Sequence, residues 1–156
     1  MRGERFLHLW LDEHGYDYDV LTDRDVDRNP SLLNGYEAVV INGHSEYWSA
    51  RAYEGIDTYL RSGGDVIVLS GNTMFWRVTY DEDDEYMECR KYGAGIGGRR
   101  LAQVGELYHS CDQKRGSLMR FCGYPAWKVV GLTCIGWGGA FQPDKGDQAM
   151  VTKRGK

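Results

Sequence analysis

The residues best suited to chemistry lie in the run Asn42–Trp48, which follows a short apolar segment. This run places the imidazole of His44 and the carboxylate of Glu46 two residues apart. An imidazole can move protons near neutral pH, and a carboxylate can act as a base or bind a hard or borderline metal. In an extended turn both side chains could point into one cleft, so the run is a candidate catalytic site. The alternative is that Glu46 only favours the dipole of the next helix while His44 bonds a backbone carbonyl.

A second candidate segment, Ser70–Arg77, follows another apolar run. Asn72 could orient a substrate carbonyl there, although a turn-forming asparagine explains it equally well. Amide hydrolysis by a nucleophilic cysteine would need that residue on the turn after the strand. No Cys or Ser follows Gly71, so this mechanism is disfavoured here. Thr22–Arg28 is a third polar segment that could lie beside these two, at one edge of a sheet.

Alternating helical and extended patterns in the first half predict an α/β fold with an open parallel sheet. Ligands collect at the carboxyl ends of the strands in such sheets. A helix is predicted from Arg5 to His14, with Phe6, Leu9 and Trp10 on one face. A second helix, capped by Ser49, is predicted to reach Arg61 with Tyr53, Ile56 and Leu60 inward. The predicted strands are Tyr16–Leu21, Ala38–Ile41 and Val66–Leu69, with a polar connection and turn over Thr22–Pro30.

The second half is Gly-rich and basic, and we interpret residues 81–156 as a continuation of the domain whose parallel core is residues 1–80. Leu118–Phe121 and Lys128–Ile135 are predicted strands, Gly136–Gly139 a turn and Asp81–Glu85 a solvated loop. The chain opens in a helix that no strand precedes, and its polar tail ends without a closing element. These features favour a fragment that is incomplete at both ends.

Composition excludes several classes of protein. Apolar runs are too short to span a membrane, and no secretory signal is present, so we expect a cytoplasmic protein with four reduced cysteines. Residues 1–88 hold 19 acidic against 7 basic side chains, and residues 89–156 hold 4 against 12. We interpret this split as two parts that neutralise each other, not as a nucleic-acid surface. The GxGxxG match at Gly93–Gly98 follows charged residues instead of a buried strand, which disfavours dinucleotide binding.

Three further polar residues are weaker candidates for a functional role. Glu88 and Arg90 could pair on one strand face, and His109 is the only histidine beyond His44 that lies outside the first helix. Structural roles are the favoured interpretation for all three. Ser45, between His44 and Glu46, resembles a triad only in sequence, since adjacent residues rarely converge in that geometry.

Three segments resemble the C-terminal region of the large (beta) subunit of N,N-dimethylformamidase. They are Tyr18–Asp23, Gly43–Ser49 with its His-x-Glu-Tyr-Trp motif, and Leu69–Val78 with its Gly-Asn-x-x-x-Trp-Arg motif; Gly105–Ser110 also looks similar. The resemblance spans most of residues 3–141. It implies a flavodoxin-like or class I glutamine-amidotransferase-like fold and an amidohydrolase that cleaves small N-substituted amides to an amine and a carboxylate.

The resemblance also implies a mononuclear iron, held in the family by two tyrosines and a glutamate that Glu46 matches. Iron would act as a Lewis acid and activate a water, with His44 assisting proton transfer and Asn72 orienting the substrate. Tyr47, Trp48, Phe75 and Trp76 are assigned to substrate contact. The family's tyrosine ligands lie upstream of residue 1, so this chain carries one of three ligands and we expect weak or no iron binding by it alone.

The partners expected from the resemblance are a small amide substrate, a small subunit and a second copy of the chain, without nucleic acid or membrane. Two other functions stay open at this point. One is a non-catalytic α/β binding or assembly module that has lost the metal site. The other is a sugar-processing protein with a similar amidotransferase-like fold.

Overall fold

A computed structural model describes residues 4–83, 85–91, 103–136 and 150–153 of the chain. These residues form a mixed α/β fold of helices and small sheets. No helix among them is long and apolar enough to cross a membrane. The helices are α1 (Glu4–Glu13), α2 (Asp23–Arg28), α3 (Ala50–Arg61) and α4 (Ala126–Val129). The strands are β1 (Ala38–His44), β2 (Tyr47–Trp48), β3 (Asp65–Gly71), β4 (Trp76–Tyr80), β5 (Met87–Cys89), β6 (Leu132–Gly136) and β7 (Met150–Lys153), and 3-10 helices span Pro30–Gly35, Val104–Leu107 and Met119–Cys122.

The parallel pair β1–β3 runs in register from Ala38 opposite Asp65 to His44 opposite Gly71. Val39 and Ile41 of β1, with Val66 and Val68 of β3, pack on the main core. Both strands predicted from the apolar runs are confirmed, and each extends further than its apolar residues. Such runs are typical of parallel strands buried on both faces, but that expectation is wrong for β3, because Ile67 and Leu69 on its other face are 49% and 53% exposed.

Helix α3 covers this core, as the sequence predicts. Ser49 caps it, because its side-chain oxygen accepts the N–H of Ala52 at 3.0 Å. Tyr53 and Ile56 are buried, and Leu60 packs against the same core.

Two smaller sheets complete the described strands. In one, β4 lies between β2, which is parallel to it, and β5, which is antiparallel. In the other, β6 and β7 are antiparallel. The fold is therefore mixed α/β, and parallel pairing among the described residues is confined to β1–β3 and β2–β4; the flavodoxin-like strand order stays a prediction.

The predicted strand Tyr16–Leu21 is wrong, because this segment forms no ladder. Its alternating apolar residues face solvent: Tyr16 is 56% exposed and Val20 is 68% exposed. The segment is held by side chains instead, since the Tyr36 hydroxyl donates to Asp19 at 2.9 Å. The alternation of apolar and polar residues in this segment therefore belongs to an irregular surface segment, not to a half-buried strand.

The polar stretch predicted as a connection contains helix α2. Thr22 and Asp25 form a capping box, in which each side chain bonds the backbone N–H of the other residue. The helix carries a single buried apolar residue, Val26, so its hydrophobic pattern is too sparse to read from the sequence.

The first helix is confirmed within one residue at each end, but its predicted inward face is wrong. Phe6, Leu9 and Trp10 are 72%, 50% and 47% exposed. Leu7 and Leu11 instead line a cavity against β1. The helix thus forms as predicted, but its side facing β1 carries half-buried Leu7 and Leu11 and not the largest side chains.

Predicted elements of the second half are partly corrected. Leu118–Phe121 is not a strand: Leu118 makes one bridge to Trp76, and a 3-10 helix then runs to Gly123, whose φ of 94° ends it. Lys128–Ile135 contains the end of α4, a turn at Gly131 and then β6. Gly93–Arg100 and residues 137–139 lie outside the described residues, and the division at residue 80 stays a prediction.

The close approach of Gly64 to the ring of Tyr59 gives a test of the packing under α3. A Cβ at Gly64 would lie 2.2 Å from Tyr59 Cζ, and the ring is fixed because its hydroxyl donates to the Tyr36 carbonyl at 3.0 Å. We predict that Gly64→Ala lowers the free energy of unfolding by about 1–3 kcal/mol, measured by urea denaturation. Gly35→Ala is the control, because a Cβ there meets nothing within 4 Å. Equal stability of the two variants would contradict this packing.

Candidate functional site

The turns after β1 and β3 lie side by side at the carboxyl edge of the parallel pair. His44, the last residue of β1, is opposite Gly71, the last residue of β3. Because the strands are parallel, the turn containing Glu46 and the turn containing Asn72 leave the pair at the same edge. This edge is where open α/β folds bind their ligands.

Hydrogen bonds join these two turns directly. The N–H of Ser45 donates to Ser70 Oγ at 3.2 Å, and Ser45 Oγ lies 3.2 Å from Thr73 Oγ1. The N–H of Met74 donates to the Ser45 carbonyl at 3.1 Å. Ser45 therefore serves as the bridge between the turns, and its hydroxyl bonds Thr73 rather than His44, as expected if no triad is present.

The backbone of Glu46 is held by the start of β4. Its carbonyl accepts the N–H groups of Phe75 at 2.9 Å and Trp76 at 2.7 Å. Its side chain is half-buried, and the side chain of His44 is exposed. Neither side chain has a hydrogen-bond partner among the described residues. Both residues are thus fixed at the backbone, and within the described part of the chain their functional groups are open to a ligand.

The turn carrying Asn72 has an unusual backbone. Asn72 and Met74 have φ angles of 55° and 56°, in the left-handed region. Asparagine tolerates this region, but a methionine there is strained, and Met74 is also 98% buried. Strain of this kind is found where the surrounding structure holds a turn in one shape, often at functional sites. Asn72 is half-buried beside it.

The four aromatic residues assigned to substrate contact occupy different environments. Trp48 is buried in the main core, with its indole N–H donating to the Ser45 carbonyl at 2.8 Å. Phe75 and Trp76 are buried together in a second core cluster, with their rings edge to face. Tyr47 is half-buried, and its hydroxyl accepts a hydrogen bond from Lys91 Nζ at 2.5 Å. Of the four, Tyr47 is the side chain most able to reach a ligand; the substrate roles stay predictions.

A cavity of about 340 Å³ opens beside His44, between α1, the segment 17–23 and β1. Its walls are largely apolar and include Leu7, Leu11 and Ile41. Asp23 also lines it, and burial raises the pKa of this carboxyl. Its lining also carries polar side chains, among them Glu4, Asp17, Asp19 and His44. The cavity therefore has room for a small polar organic ligand.

The described residues do not supply a complete metal site. They include no group of three or more His, Cys, Asp and Glu side chains placed to hold an ion. Glu46 fits as one oxygen ligand, because its carboxylate is accessible and has no hydrogen-bond partner among the described residues. A single carboxylate is not enough for a stable site, so an ion at Glu46 would need further ligands.

A buried polar network lies behind β4, and the sequence interpretation recognised only its histidine. Arg77, with 3% of its surface exposed, pairs with Asp112 and donates to the Arg115 carbonyl at 3.1 Å. Its NH1 also lies 3.3 Å from His109 Nδ1, which makes Nδ1 an acceptor because a guanidinium only donates. The Thr79 hydroxyl therefore donates to Nδ1 at 2.8 Å.

His109 is neutral in this network. Burial and the neighbouring Arg77 lower its pKa to about 4. Its Nε2 carries the remaining ring proton and has no hydrogen-bond partner among the described residues. The structural role favoured from the sequence agrees with its 1% exposure. The signal that could have revealed the whole network is the arginine that interrupts the apolar β4 sequence.

Glu88 and Arg90 pair as the sequence predicts. Arg90 Nε lies 2.7 Å from Glu88 Oε1, and Glu88 Oε2 accepts the N–H groups of Ser110 at 2.6 Å and Cys111 at 3.1 Å. Burial would raise the pKa of Glu88, but these donors outweigh it and lower the pKa to about 2. The four cysteines are free thiols, as predicted.

The structure thus defines a mixed α/β protein with polar turns gathered at one sheet edge. The chain belongs to the family of N,N-dimethylformamidase beta subunit-like C-terminal regions, which matches residues 1–152. It is 32% identical over 155 residues to the N,N-dimethylformamidase beta subunit of an Alcaligenes species, covering 93% of this chain and 20% of that protein. It is also 32% identical over 136 residues to the N,N-dimethylformamidase beta subunit of Paracoccus aminophilus, covering 85% of this chain and 18% of that protein. The chain spans about a fifth of the length of these relatives.

The neutral, buried state of His109 predicts an acid-sensitive stability. Between pH 6.5 and about 4 this histidine is protonated in the unfolded chain but neutral in the folded chain. Its contribution to the free energy of unfolding is therefore fully present above pH 6.5 and is lost as the pH falls. We predict a loss of about 3 kcal/mol over this window from this one group. His109→Gln should flatten that part of the curve, measured by urea unfolding at stepped pH. A variant curve parallel to that of the unmodified protein would contradict the assignment.

Proposed function

We propose that this protein acts in the hydrolysis of small N-substituted amides, such as formamides, to an amine and a carboxylate. The observation that carries this proposal is the joining of the Glu46 turn to the Asn72 turn at one sheet edge, in a chain of this family. Relatives at 32% identity are named N,N-dimethylformamidase beta subunit, which supports the reaction class. The cavity beside His44, with both apolar and polar walls, is large enough to admit such a substrate.

Each residue at the edge has a chemical role in this proposal. The exposed imidazole of His44 moves a proton between water and the departing amine. The side-chain amide of Asn72 donates to the substrate carbonyl oxygen and so stabilises the charge that develops there. Ser45 and the strained turn at Met74 hold the two groups at a fixed separation.

Glu46 is proposed as one ligand of a catalytic iron. Carboxylate oxygen is a hard ligand that suits ferric iron, and the tip of this side chain is free to bind. A bound iron would supply Lewis-acid polarisation and an activated water. The remaining ligands are proposed to come from outside the described residues, with tyrosines expected from the family resemblance.

We propose further that the active protein is larger than the part described here. The relatives are five times as long as the stretch they share with this chain, and their names identify them as one subunit of an enzyme. An amidotransferase-like sheet, a small partner subunit and self-association are parts of the same proposal.

Replacement of Glu46 tests the proposed function. In the full-length gene product, Glu46→Gln keeps the shape of the side chain but removes the charge that holds a ferric ion. We predict that bound iron falls and that formate release from dimethylformamide drops by about 100-fold or more. Iron is measured by elemental analysis and formate by a coupled assay. Glu82→Gln, on an exposed loop, is the control and should change neither.

A Glu46→Gln protein with normal iron and normal activity would exclude the proposed role. An unmodified protein that binds no iron and releases no formate would instead identify a non-catalytic α/β module.

Replacement of His44 separates proton transfer from metal binding. Because the imidazole is exposed and has no hydrogen-bond partner among the described residues, His44→Gln should leave the fold and iron content intact. We predict that kcat falls by about 100-fold while KM changes little. Loss of iron in this variant, or an unchanged kcat, would contradict the assigned role.

A further inference from the structure

The parallel pair β1–β3 has a second face, opposite the core that α3 covers. Residues in register on neighbouring strands present their side chains to the same face, so Leu69 shares this outer face with Asn42. Helix α1 lies on it, because Asn42 Nδ2 donates to the Glu4 carbonyl at 3.4 Å. On β3 the outer face carries Ile67 and Leu69, which are 49% and 53% exposed. Within the described part of the chain, α1 therefore covers β1 and leaves the outer side of β3 open.

The flank of α1 that is turned toward β3 is apolar as well. On its other flank, Asp12 accepts a hydrogen bond from the Tyr18 hydroxyl at 3.2 Å, where the segment 17–23 closes the cavity beside β1. The described residues that line this cavity include β1 and none of β3, so the segment lies on the side away from β3. At about 100° per residue, Trp10 projects about 160° and Phe6 about 120° from Asp12. Both aromatic rings are exposed and project toward the β3 side.

These side chains form one apolar surface, which we call the outer apolar surface: Phe6, Trp10, Ile67 and Leu69. Its floor is β3 and its wall is α1. Asp65, at the start of β3, is the only charged residue of that strand, so the surface offers little to an ionic ligand. A contiguous exposed apolar surface of this kind marks contact with other polypeptide.

The shape of this surface fits a helix lying beside α1. Packed helices lie about 8–10 Å apart and strands about 4.8 Å apart, so a helix packed beside α1 is placed over β3. Parallel sheets are covered by helices on both faces. A strand added to β3 would pair with its edge and leave the side chains of Ile67 and Leu69 exposed on its face.

The relatives of this chain have the length to supply such a helix. The family description places the matched region at the C-terminal part of the beta subunit, and this region covers 20% and 18% of the two relatives. The rest of each subunit is thus available to pack on the shared region. A segment of the same polypeptide is favoured over a second copy of the chain, because tethering gives it an effective concentration on the order of mM.

We propose that the outer apolar surface is the docking site of an amphipathic helix from the same, longer polypeptide, outside residues 1–156. This docking depends on the proposal that the active protein is larger than the part described here, and not on its amide chemistry. The helix would place its apolar stripe on Ile67 and Leu69, against the rings of Phe6 and Trp10. It would also fix α1, which has no buried residue of its own and forms one wall of the cavity beside His44.

Thiol labelling of the full-length gene product tests whether this surface is covered. Leu69→Cys and Ile67→Cys are treated with N-ethylmaleimide in the folded protein, and their modification is followed by peptide mass spectrometry. Leu32→Cys is the matched control, because Leu32 is also an exposed leucine, at 39%, and lies in the 3-10 helix Pro30–Gly35. We expect both β3 cysteines to react at least about tenfold more slowly than the control when folded, and equally fast in urea. Reaction of both at the rate of the control would overturn the proposal.

Photocrosslinking identifies what covers the surface. Phe6→p-benzoylphenylalanine places a photoreactive ring on it. We expect cross-links at the mass of one polypeptide, to peptides of the same gene product outside residues 1–156. Cross-links to a second copy, to a small subunit or only within residues 1–156 would overturn the proposal.

The two experiments also separate this docking from the proposed function. Slow labelling with the expected cross-links, in a protein that does not hydrolyse amides, would support the docking site and refute the proposed function alone. Fast labelling in a protein that hydrolyses amides would overturn the docking site alone.

Discussion

Two backbone N–H groups at the start of β4 donate to one carbonyl, that of Glu46, and the geometry of the site depends on this junction. It fixes the Glu46 turn to the second sheet while Ser45 ties the same turn to the one after β3. The β1–β3 ladder brings these turns to one edge, and the junction then limits how far they can separate. The side chains of His44 and Glu46 on this frame make no hydrogen bond to any of the residues that the structure describes, so both can meet a ligand there.

The same strand connects the site to the buried polar network behind it. Arg77 follows Trp76 in β4, and its N–H donates to the Ser117 carbonyl while its guanidinium pairs with Asp112. A buried arginine of this kind is tolerated only with full hydrogen bonding, because an unpaired buried charge is costly. The pair joins the two parts of the chain, but each member carries the minority charge of its own part. Only Glu88 with Arg90 pairs an acid of the first part with a base of the second.

The sequence predicted those elements whose residues satisfy local and tertiary requirements together. Strands β1 and β3 contain continuous apolar runs, and helix α3 has apolar residues at helical spacing, so the sequence predicts all three. The proximity of the turns after β1 and β3 could also be predicted, since it depends only on the direction of the two strands. Tyr16–Leu21 is wrongly predicted as a strand, because it has the alternation of a strand but no strand to pair with. Helix α2 is missed, because a capping box holds it and only one of its residues is buried. The contact of Lys91 with Tyr47 cannot be predicted either, because the two residues are 44 apart in sequence and only the fold brings them together.

The proposed function requires the turns after β1 and β3 to form one site for a small amide. NMR of the imidazole of His44 and the side-chain amide of Asn72, during titration of the full-length protein with dimethylformamide, tests this directly. We predict that both signals shift along one saturation curve, while that of exposed His14 does not. Shifts of neither residue, or of the two with unrelated affinities, would contradict a shared site.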